Sequence, residues 1–464
     1  MAQTTTSTVS QILKEFYQGP IREQLNSEIL LWKRLSKRED IVEGKTIVMP
    51  LHTGRNVGVM ATVEGGTLPA AGNQQFTDMR FPIPFLYGHI NLSGPVIAAS
   101  RTRQGAFIQA LESEIKGLVR DFKNDINRMA NMDGSGRLGT VKTAGGASPV
   151  MTNPLDFNGQ GNLQYFNIGD RIALVKGSAA EAALPVLIAG GLAPTVSAVD
   201  FTAKTITLSD ISTYTPIAGD HLGKFANTSD TTSISATNLR LSTGGTANVN
   251  KEIMGIAGIC SGTNGFPRNA GATTYSALAA GQLWANANGA INTIIGANLQ
   301  TVSASSVSTW QGNCFFNGGV LRPISGDLMQ RACDASEQIG QAKPTIGVAS
   351  YGVRRQIVNL SVGDRRFADM NFDAGFNTIS FNGIPIVPDK DAIPGTLAFL
   401  SEPDMMVARM SDFYWLDKDG SVLSRAYGSG GAMKDEWEAV MAYYADLVTS
   451  RRNAQTMIGD IRES

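Results

Sequence analysis

Four short stretches place residue types where a reaction or a ligand could use them. Gly44-Lys45-Thr46 ends like a phosphate-cradling loop, in which backbone N–H groups and a lysine hold phosphate oxygens. Glu39 stands where the first glycine of such a loop belongs, and the residues after Thr46 read as a strand, so no helix N-terminus completes the cradle. Gly134-Ser135-Gly136-Arg137-Leu138-Gly139 spells a dinucleotide fingerprint, but it follows a long helix and opens none, so a helix-ending turn is expected. The stretch from Gly347 to Gly352 approximates a nucleophile elbow around Ser350, except that Val348 occupies the position of the first glycine; a helix cap is the expected role. Asp417-Lys418-Asp419-Gly420 opens like a calcium loop and fails at its fifth and last positions, Ser421 and Gly428, which leaves a hairpin turn.

The remaining chemistry-bearing residues are dispersed. His52, His89 and His221 have no His or Cys three or four residues away, so no helix-borne metal pair is expected. Cys260, Cys314 and Cys333 are odd in number and widely spaced, which suits buried thiols and neither a disulfide framework nor a zinc ribbon. The expectation is a non-enzyme without cofactor, metal or catalytic residues.

Composition points the same way. Over 464 residues, 39 Lys plus Arg face 40 Asp plus Glu, a formal charge of -1 that disfavours a basic nucleic-acid binder. Hydrophobic residues make up 42% and charged residues 17%, enough apolar area for a core and too much for a disordered chain. The N-terminus shows no basic segment followed by an apolar one, and the longest greasy run, 182–194, is broken by Pro185, Gly190 and Gly191. It falls short of the ~20 residues a bilayer requires, so no membrane association is expected.

The elements that would position these residues are legible from periodicity. Residues 1–45 read as a helical, charge-mixed arm carrying Ile12, Leu13, Phe16, Ile29, Leu30, Leu31, Trp32 and Leu35. Its basic cluster, Lys33, Arg34, Lys37 and Arg38, is followed by Glu39, Asp40 and Glu43, which reads as a solvated face. Thr46 to Met49 is strand-like. Beyond it a long ribbon is expected, outbound through Val57, Val59, Ala61 and Val63 and returning through Phe81, Ile83, Phe85 and Tyr87. Its tip, Glu64 to Gln75, holds Gly65, Gly66, Pro69 and Gly72 and suits a wide turn, while Pro82 and Pro84 remove donors from one edge. A two-stranded ribbon is marginal in water, so it must lie on its own body or on a neighbouring chain.

Gln104 to Asn131 repeats Phe107, Leu111, Ile115, Leu118, Phe122, Ile126 and Met129 at helical spacing, with Glu112, Glu114, Lys116, Arg120, Lys123 and Asp125 on the opposite face. It predicts a rod of roughly 42 Å. From Ala144 to Leu321 charge density drops to about half the chain average, and strands at Arg171 to Val175, Thr195 to Val199, Thr205 to Leu208 and after Asp220 suggest a small β-barrel or sandwich. Then come helices capped by Ser325 and Ser350, a strand at Thr345 to Ala349, and further strands from Phe381 through Thr396 to Leu400, Met405 to Met410, Phe413 to Leu416 and Trp437 to Val448. Strand and helix do not alternate regularly, so the fold class is α+β.

This order of elements resembles the major capsid protein of tailed bacteriophages, whose fold is shared with encapsulin shells. The likeness rests on Arg55 to Val59, Glu64 to Pro69 with Gly72, Tyr87 to Ser93, the helix from Gln104, Pro344 to Leu360, Phe381 to Pro385, and Tyr443 to Ile458. The resemblance implies an N-terminal arm (1–45), an extended β loop reaching an adjacent subunit (46–95), a peripheral domain with a spine helix (96–155), a β-rich insertion (156–250), an axial α+β domain (251–435) and a return to the peripheral domain (436–464). It implies an icosahedral virion shell, assembled in the host cytoplasm from pentamers and hexamers of this chain, around double-stranded DNA held without sequence-specific contacts. Separate scaffolding, portal and cement proteins are implied partners. Glu64, Gly65, Gly66, Leu68, Pro69, Gly72, Phe81 and Phe85 are the expected subunit contacts. The alternatives are an encapsulin-like compartment, a β-rich adhesive or carbohydrate-binding module, and an enzyme hidden in the C-terminal region.

Overall fold

The computed structural model describes residues 30–44, 46–56, 58–68, 70–95, 104–132, 137–143, 150–152, 163, 165–170, 172–175, 185–186, 195–200, 205–209, 221–224, 252–260, 310–317, 321–362, 379–417, 423–427 and 433–463. In chain order its elements are α1 (Leu30–Arg34), β1 (Ser36–Arg38), β2 (Val42–Glu43), β3 (Thr46–Gly54), β4 (Gln75–Pro82), β5 (Phe85–Ser93) and α2 (Gln104–Asn131). Then follow β6 (Arg137–Thr143), β7 (Val150–Thr152), β8 (Ile172–Val175), β9 (Pro185–Val186), β10 (Val196–Asp200), β11 (Thr205–Leu208), β12 (His221–Lys224) and α3 (Ile256–Ile259). The C-terminal part supplies β13 (Asn313–Phe315), α4 (Gly326–Gln338), β14 (Ile346–Ala349), α5 (Tyr351–Val362), β15 (Ile379–Phe381), β16 (Ile384–Pro388), β17 (Leu397–Leu400), β18 (Met405–Trp415), β19 (Ser424–Tyr427), β20 (Met433–Thr449) and β21 (Thr456–Ile458). The architecture is α+β.

Helix α2 has the bounds its periodicity predicts, and it lies on a five-stranded sheet. The 17-residue β20 is the axis of that sheet: β18 and β19 pair with it, β5 pairs with its other register, and β1 adds in parallel to β18. β5 alternates strictly between exposed and buried, sending Leu86, Ile90 and Leu92 towards the helix. Between them, Gly88 lets α2 approach: a Cβ there would sit 3.0 Å from Leu118 Cδ1. Ile115, Val119, Phe122 and Ile126 of α2 join Trp32, Phe413 and Tyr443 in the main core. Lys123, expected on the solvated face, is buried, as are Asn127, Arg128 and Asn131, because the C-terminal half of α2 is covered beyond its apolar stripe.

The ribbon differs from its sequence reading. β3 and β4 pair antiparallel from Thr46↔Pro82 to Gly54↔Gln75, so the outbound strand is Thr46–Gly54. Residues 58–63 form no strand: Val59, Ala61 and Val63 are exposed together with Met60, so the alternation there has no inward face to serve. Val57 and Pro69 lie outside the described residues. The return run is two strands, since the chain breaks at Ile83 and Pro84 and β5 leaves the ribbon to pair with β20. Pro84 offers no N–H to continue the ladder.

The β-rich middle is a seven-stranded sheet in the order β10-β11-β7-β6-β12-β8-β9. β8, β10, β11 and β12 fall where their turns placed them. The sheet begins earlier than the expected insertion, at Arg137 directly after α2, and its pairing order has two ends instead of closing into a barrel among the described residues. Positions 182–184, 187–194 and 219–220 lie outside the described residues.

A six-stranded sheet, β13-β21-β17-β14-β16-β15, carries α4 and α5. Both helices have the predicted caps: Ser325 Oγ accepts from Leu328 N at 3.2 Å, and Ser350 Oγ from Val353 N at 3.4 Å. Asn382 and Gly383, at φ 50° and 77°, make the turn between β15 and β16. The two strands read at Met405 to Met410 and Phe413 to Leu416 are one strand, β18, whose register shifts at Ser411 absorb the gap in alternation. Long connections cross the expected domain limits: β18 belongs with β20 and α2, while β21 returns to the six-stranded sheet between β13 and β17.

Candidate subunit-contact surface

The sequence-predicted contacts lie on and beside the loop joining β3 to β4. The loop arms meet at Gly58, where a Cβ would fall 2.9 Å from Ala70 O and 3.1 Å from Gly72 N, so Gly58 and Gly72 permit the close approach. At the tip, Gly65 takes φ +75° beside exposed Glu64, and Gly66 N donates to Val63 O at 2.9 Å. Lower down, His52 Nε2 lies 2.6 Å from Gln74 Oε1, and its ring meets Phe76 edge-on at 5.2 Å. The loop exposes apolar side chains among its polar ones: Val59 is 74% exposed, Val63 77% and Leu68 78%, and Phe76 beside it in β4 is 66% exposed. Lone exposed apolar residues are ordinary, but here Val59, Met60, Val63 and Leu68 are exposed together on one loop.

Phe85, half exposed, belongs to a second feature at the base of the loop. Its ring meets Tyr444 edge-on at 5.0 Å, and Tyr87 and Tyr414 meet the same ring at 5.9 and 5.8 Å. Tyr87 OH and Tyr444 OH lie 3.2 Å apart. This aromatic group was missed in the sequence apart from Phe85. The spacing of Phe85 and Tyr87 on one strand face was available, but their meeting with Tyr414 and Tyr444 depends on the pairing of three strands. Phe81 lies in β4 opposite Ile47 and takes its place in the ribbon ladder.

The chemistry-bearing motifs stay apart. Gly44, at φ +64°, turns the chain from β2 into β3, and Arg137 opens β6, so neither glycine stretch leads to a helix. Ser350 Oγ caps α5 and donates to Glu463. His89 faces Glu438 at 3.4 Å. The thiols of Cys260 and Cys333 are buried; burial pushes Cys333 up to about 11. Among the described residues no group of three His, Cys, Asp or Glu could hold a metal ion, and no helix is long and apolar enough to cross a membrane. Asp417 is described but the turn at 418–422 is not.

Polar contacts, several of them buried, tie the elements beneath the loop together. Arg128 pairs with Glu252 at 2.9 Å; burial opposes its charge, and Glu252 and Asp125 outweigh that and raise its pKa. Asn127 Nδ2 donates to Asp389 Oδ1 at 2.8 Å and Asp391 Oδ2 at 2.7 Å, which ties α2 to the loop after β16. Arg452, fully buried, donates to the carbonyls of Gly258, Ile259 and Trp310. In the arm, Arg38 pairs with Asp40, while Arg34 pairs with Glu402 in the turn before β18 and Glu39 pairs with Arg409 of β18, so the arm's charges of both signs find partners outside it.

No known family model matches the chain, and no curated protein matches its sequence. Solved structures do. The chain is similar in structure to phage capsid chains. With the Cyanophage A-1(L) capsid asymmetric unit it shares 9% identity over 95% of this chain and 93% of that chain, at a TM-score of 0.49. With the Mycobacterium phage Bobi chain it shares 10% identity over 100% of both, at 0.40. The holo-SrpI encapsulin complex from Synechococcus elongatus PCC 7942 matches over 37% of this chain and 58% of that chain, with 9% identity and a TM-score of 0.23.

Proposed function

We propose that this chain is the major capsid protein of a tailed bacteriophage, a structural subunit that assembles with copies of itself into an icosahedral head. The observation that carries the reading is the loop of residues 55–74, which leaves Val59, Met60, Val63 and Leu68 in water while the protomer buries its own cores without them. Covering one such side chain contributes roughly 1.5–3 kcal/mol, and repetition around a closed shell makes modest contacts collective. The pairing of β3 with β4 and the long rods α2 and β20 supply a stiff base for a projecting contact.

In this reading pentamers and hexamers of the chain enclose double-stranded DNA by walling it in, consistent with a net charge of -1. The mature location is the virion, with assembly in the host cytoplasm alongside separate scaffolding, portal and cement proteins. The chain performs no reaction in this role.

The test is electron microscopy of the purified protein, alone and with a co-expressed scaffold. Closed hollow particles are expected. Deletion of residues 65–72 should leave a folded protomer that assembles poorly. Normal shells from the deletion variant would refute the role of the loop, and a wild-type chain that stays monomeric throughout would refute the shell.

A further inference from the structure

Beyond the loop, the C-terminal part carries a cleft lined by cations and a helix face rich in carboxylates. The first is a cleft of about 700 Å3 beside α5, lined by Tyr351, Arg354, Arg355 and Lys390 among others. Its two carboxylates are engaged internally: Asp389 Oδ1 accepts from Asn127 and from Asp391 N at 2.8 Å, and Glu463 Oε1 accepts from Ser350 Oγ and from Gly395 N at 2.7 Å. Arg355 reaches only a backbone oxygen, that of Glu463 at 3.3 Å, and Arg354 has no ion pair among the described residues. Lys390 pairs with Asp391 at 4.0 Å and donates to Asn124, so Arg354 and Arg355 are the cations left to meet a partner.

The second surface is the outer face of α4. Asp327, Asp334 and Glu337 are exposed there with two cations, Arg331, which pairs with Asp327 at 3.5 Å, and Lys343 close to the helix end. Cys333 lies beneath this face: burial is the largest cause of its raised pKa, Asp334 and Glu337 add to it, and Lys343 opposes them. At the end of the helix Ile339 is 56% exposed, its carbonyl held by Asn453 Nδ2 at 3.1 Å, so the side chain is presented on a fixed backbone. α4 and α5 pack on one apolar cluster of the same sheet, which fixes the spacing of ridge and cleft.

We propose that copies of this chain join head to tail, the acidic ridge of α4 with Ile339 seating in the cationic cleft beside α5 of the next copy. This deepens the shell reading and rests on it. Head to tail, each copy offers α4 to one neighbour and its cleft to another, a heterologous contact of the type that closes into rings when the rotation allows. Complementary charge sets the register, and Ile339 against Tyr351 supplies apolar contact.

The test uses the full chain at fixed concentration and low salt, with the assembled fraction read by sedimentation velocity. Arg354→Glu with Arg355→Glu, and separately Asp334→Lys with Glu337→Lys, should each lower assembly by roughly tenfold or more, because like charges would face each other. The four changes combined should restore it to within a few-fold of wild type. Either reversal assembling like wild type, or no rescue in the combination, overturns the inference while leaving the shell reading intact. A wild-type chain that never assembles overturns both. Should a reversal variant melt well below wild type, Ile339→Ser provides the independent measurement: a comparable loss of assembly with an unchanged melting temperature is expected, and unchanged assembly counts against the contact.

Discussion

Trp32 Nε1 donates a hydrogen bond of 2.9 Å to Tyr443 OH across 411 residues of sequence, and both side chains are almost wholly buried. The bond fastens the arm to the central strand of the sheet that carries α2. Tyr443 stacks on Phe413 with centroids 3.8 Å apart, and Phe413 meets Phe122 of the helix edge-on at 5.7 Å, so one chain of contacts runs from arm to spine.

Trp32→Phe keeps much of the apolar volume and removes the donor, leaving the Tyr443 hydroxyl buried without it. A loss of about 1–3 kcal/mol is expected from chemical denaturation. Tyr443→Phe made in the Trp32→Phe background should cost less than the same change in wild type, and additive losses would show that the bond contributes nothing.

Arg128 and Glu252 form a buried pair, 3% and 6% exposed. Glu252→Ala leaves the guanidinium with only Asp125 at 3.7 Å, and a loss of about 3–5 kcal/mol is expected. Replacing both by Met and Leu should recover part of it, measured as the unfolding midpoint in urea.

Glu402 and Asp391 should give opposite pH slopes. Burial works against the Glu402 charge, but hydrogen bonds from Arg34 and Thr345 outweigh it and hold its pKa below the usual 4.5. The unfolded chain then binds this proton first as pH falls, so the stability from Glu402 is full above about pH 4.5 and is lost towards its lower folded pKa. Because Arg34 is partly exposed, the difference between wild type and Glu402→Gln should be below about 1 kcal/mol at pH 7 and shrink on acidification.

Asp391 is shifted up, chiefly by burial. The folded protein holds its proton at a pH where the unfolded chain has released it, so wild type loses stability relative to Asp391→Asn as pH rises above the usual 3.8. Melting curves of the two proteins between pH 3 and 7 check the sign: a gap that does not change with pH would mean that Asp391 titrates alike in both states.

Gly88→Val puts a branched side chain where even a Cβ sits 3.0 Å from Leu118. A loss of about 1–3 kcal/mol is expected, and pairing it with Leu118→Ala should relieve some of it, read from thermal unfolding.

The strongly periodic elements were legible. α2, the caps Ser325 and Ser350, and the strands at 205–208 and 346–349 follow from spacing and cap chemistry that act over a few residues. The ribbon was legible in outline and displaced in detail: Val59 to Val63 alternates as well as Thr46 to Gly54 does, and only the partner strand distinguishes them. The wide turn at Gly65, Gly66 and Gly72 was legible through its turn chemistry, whereas the meeting of Tyr414 with Tyr444 carries no local signal. Lys123 read as solvent-facing because helical phase reports one buried face, and α2 has more than one.

By itself the sequence determined the local conformations, the α+β class and the lack of a concentrated motif for catalysis, since turn residues, caps and periodicity act through neighbours in the chain. The tertiary structure decided which strands pair, that β18 and β20 join the spine while β21 crosses to the other sheet, and which apolar residues remain in water. Those outcomes depend on contacts between segments hundreds of residues apart, where many pairings satisfy the same alternation and only packing selects among them.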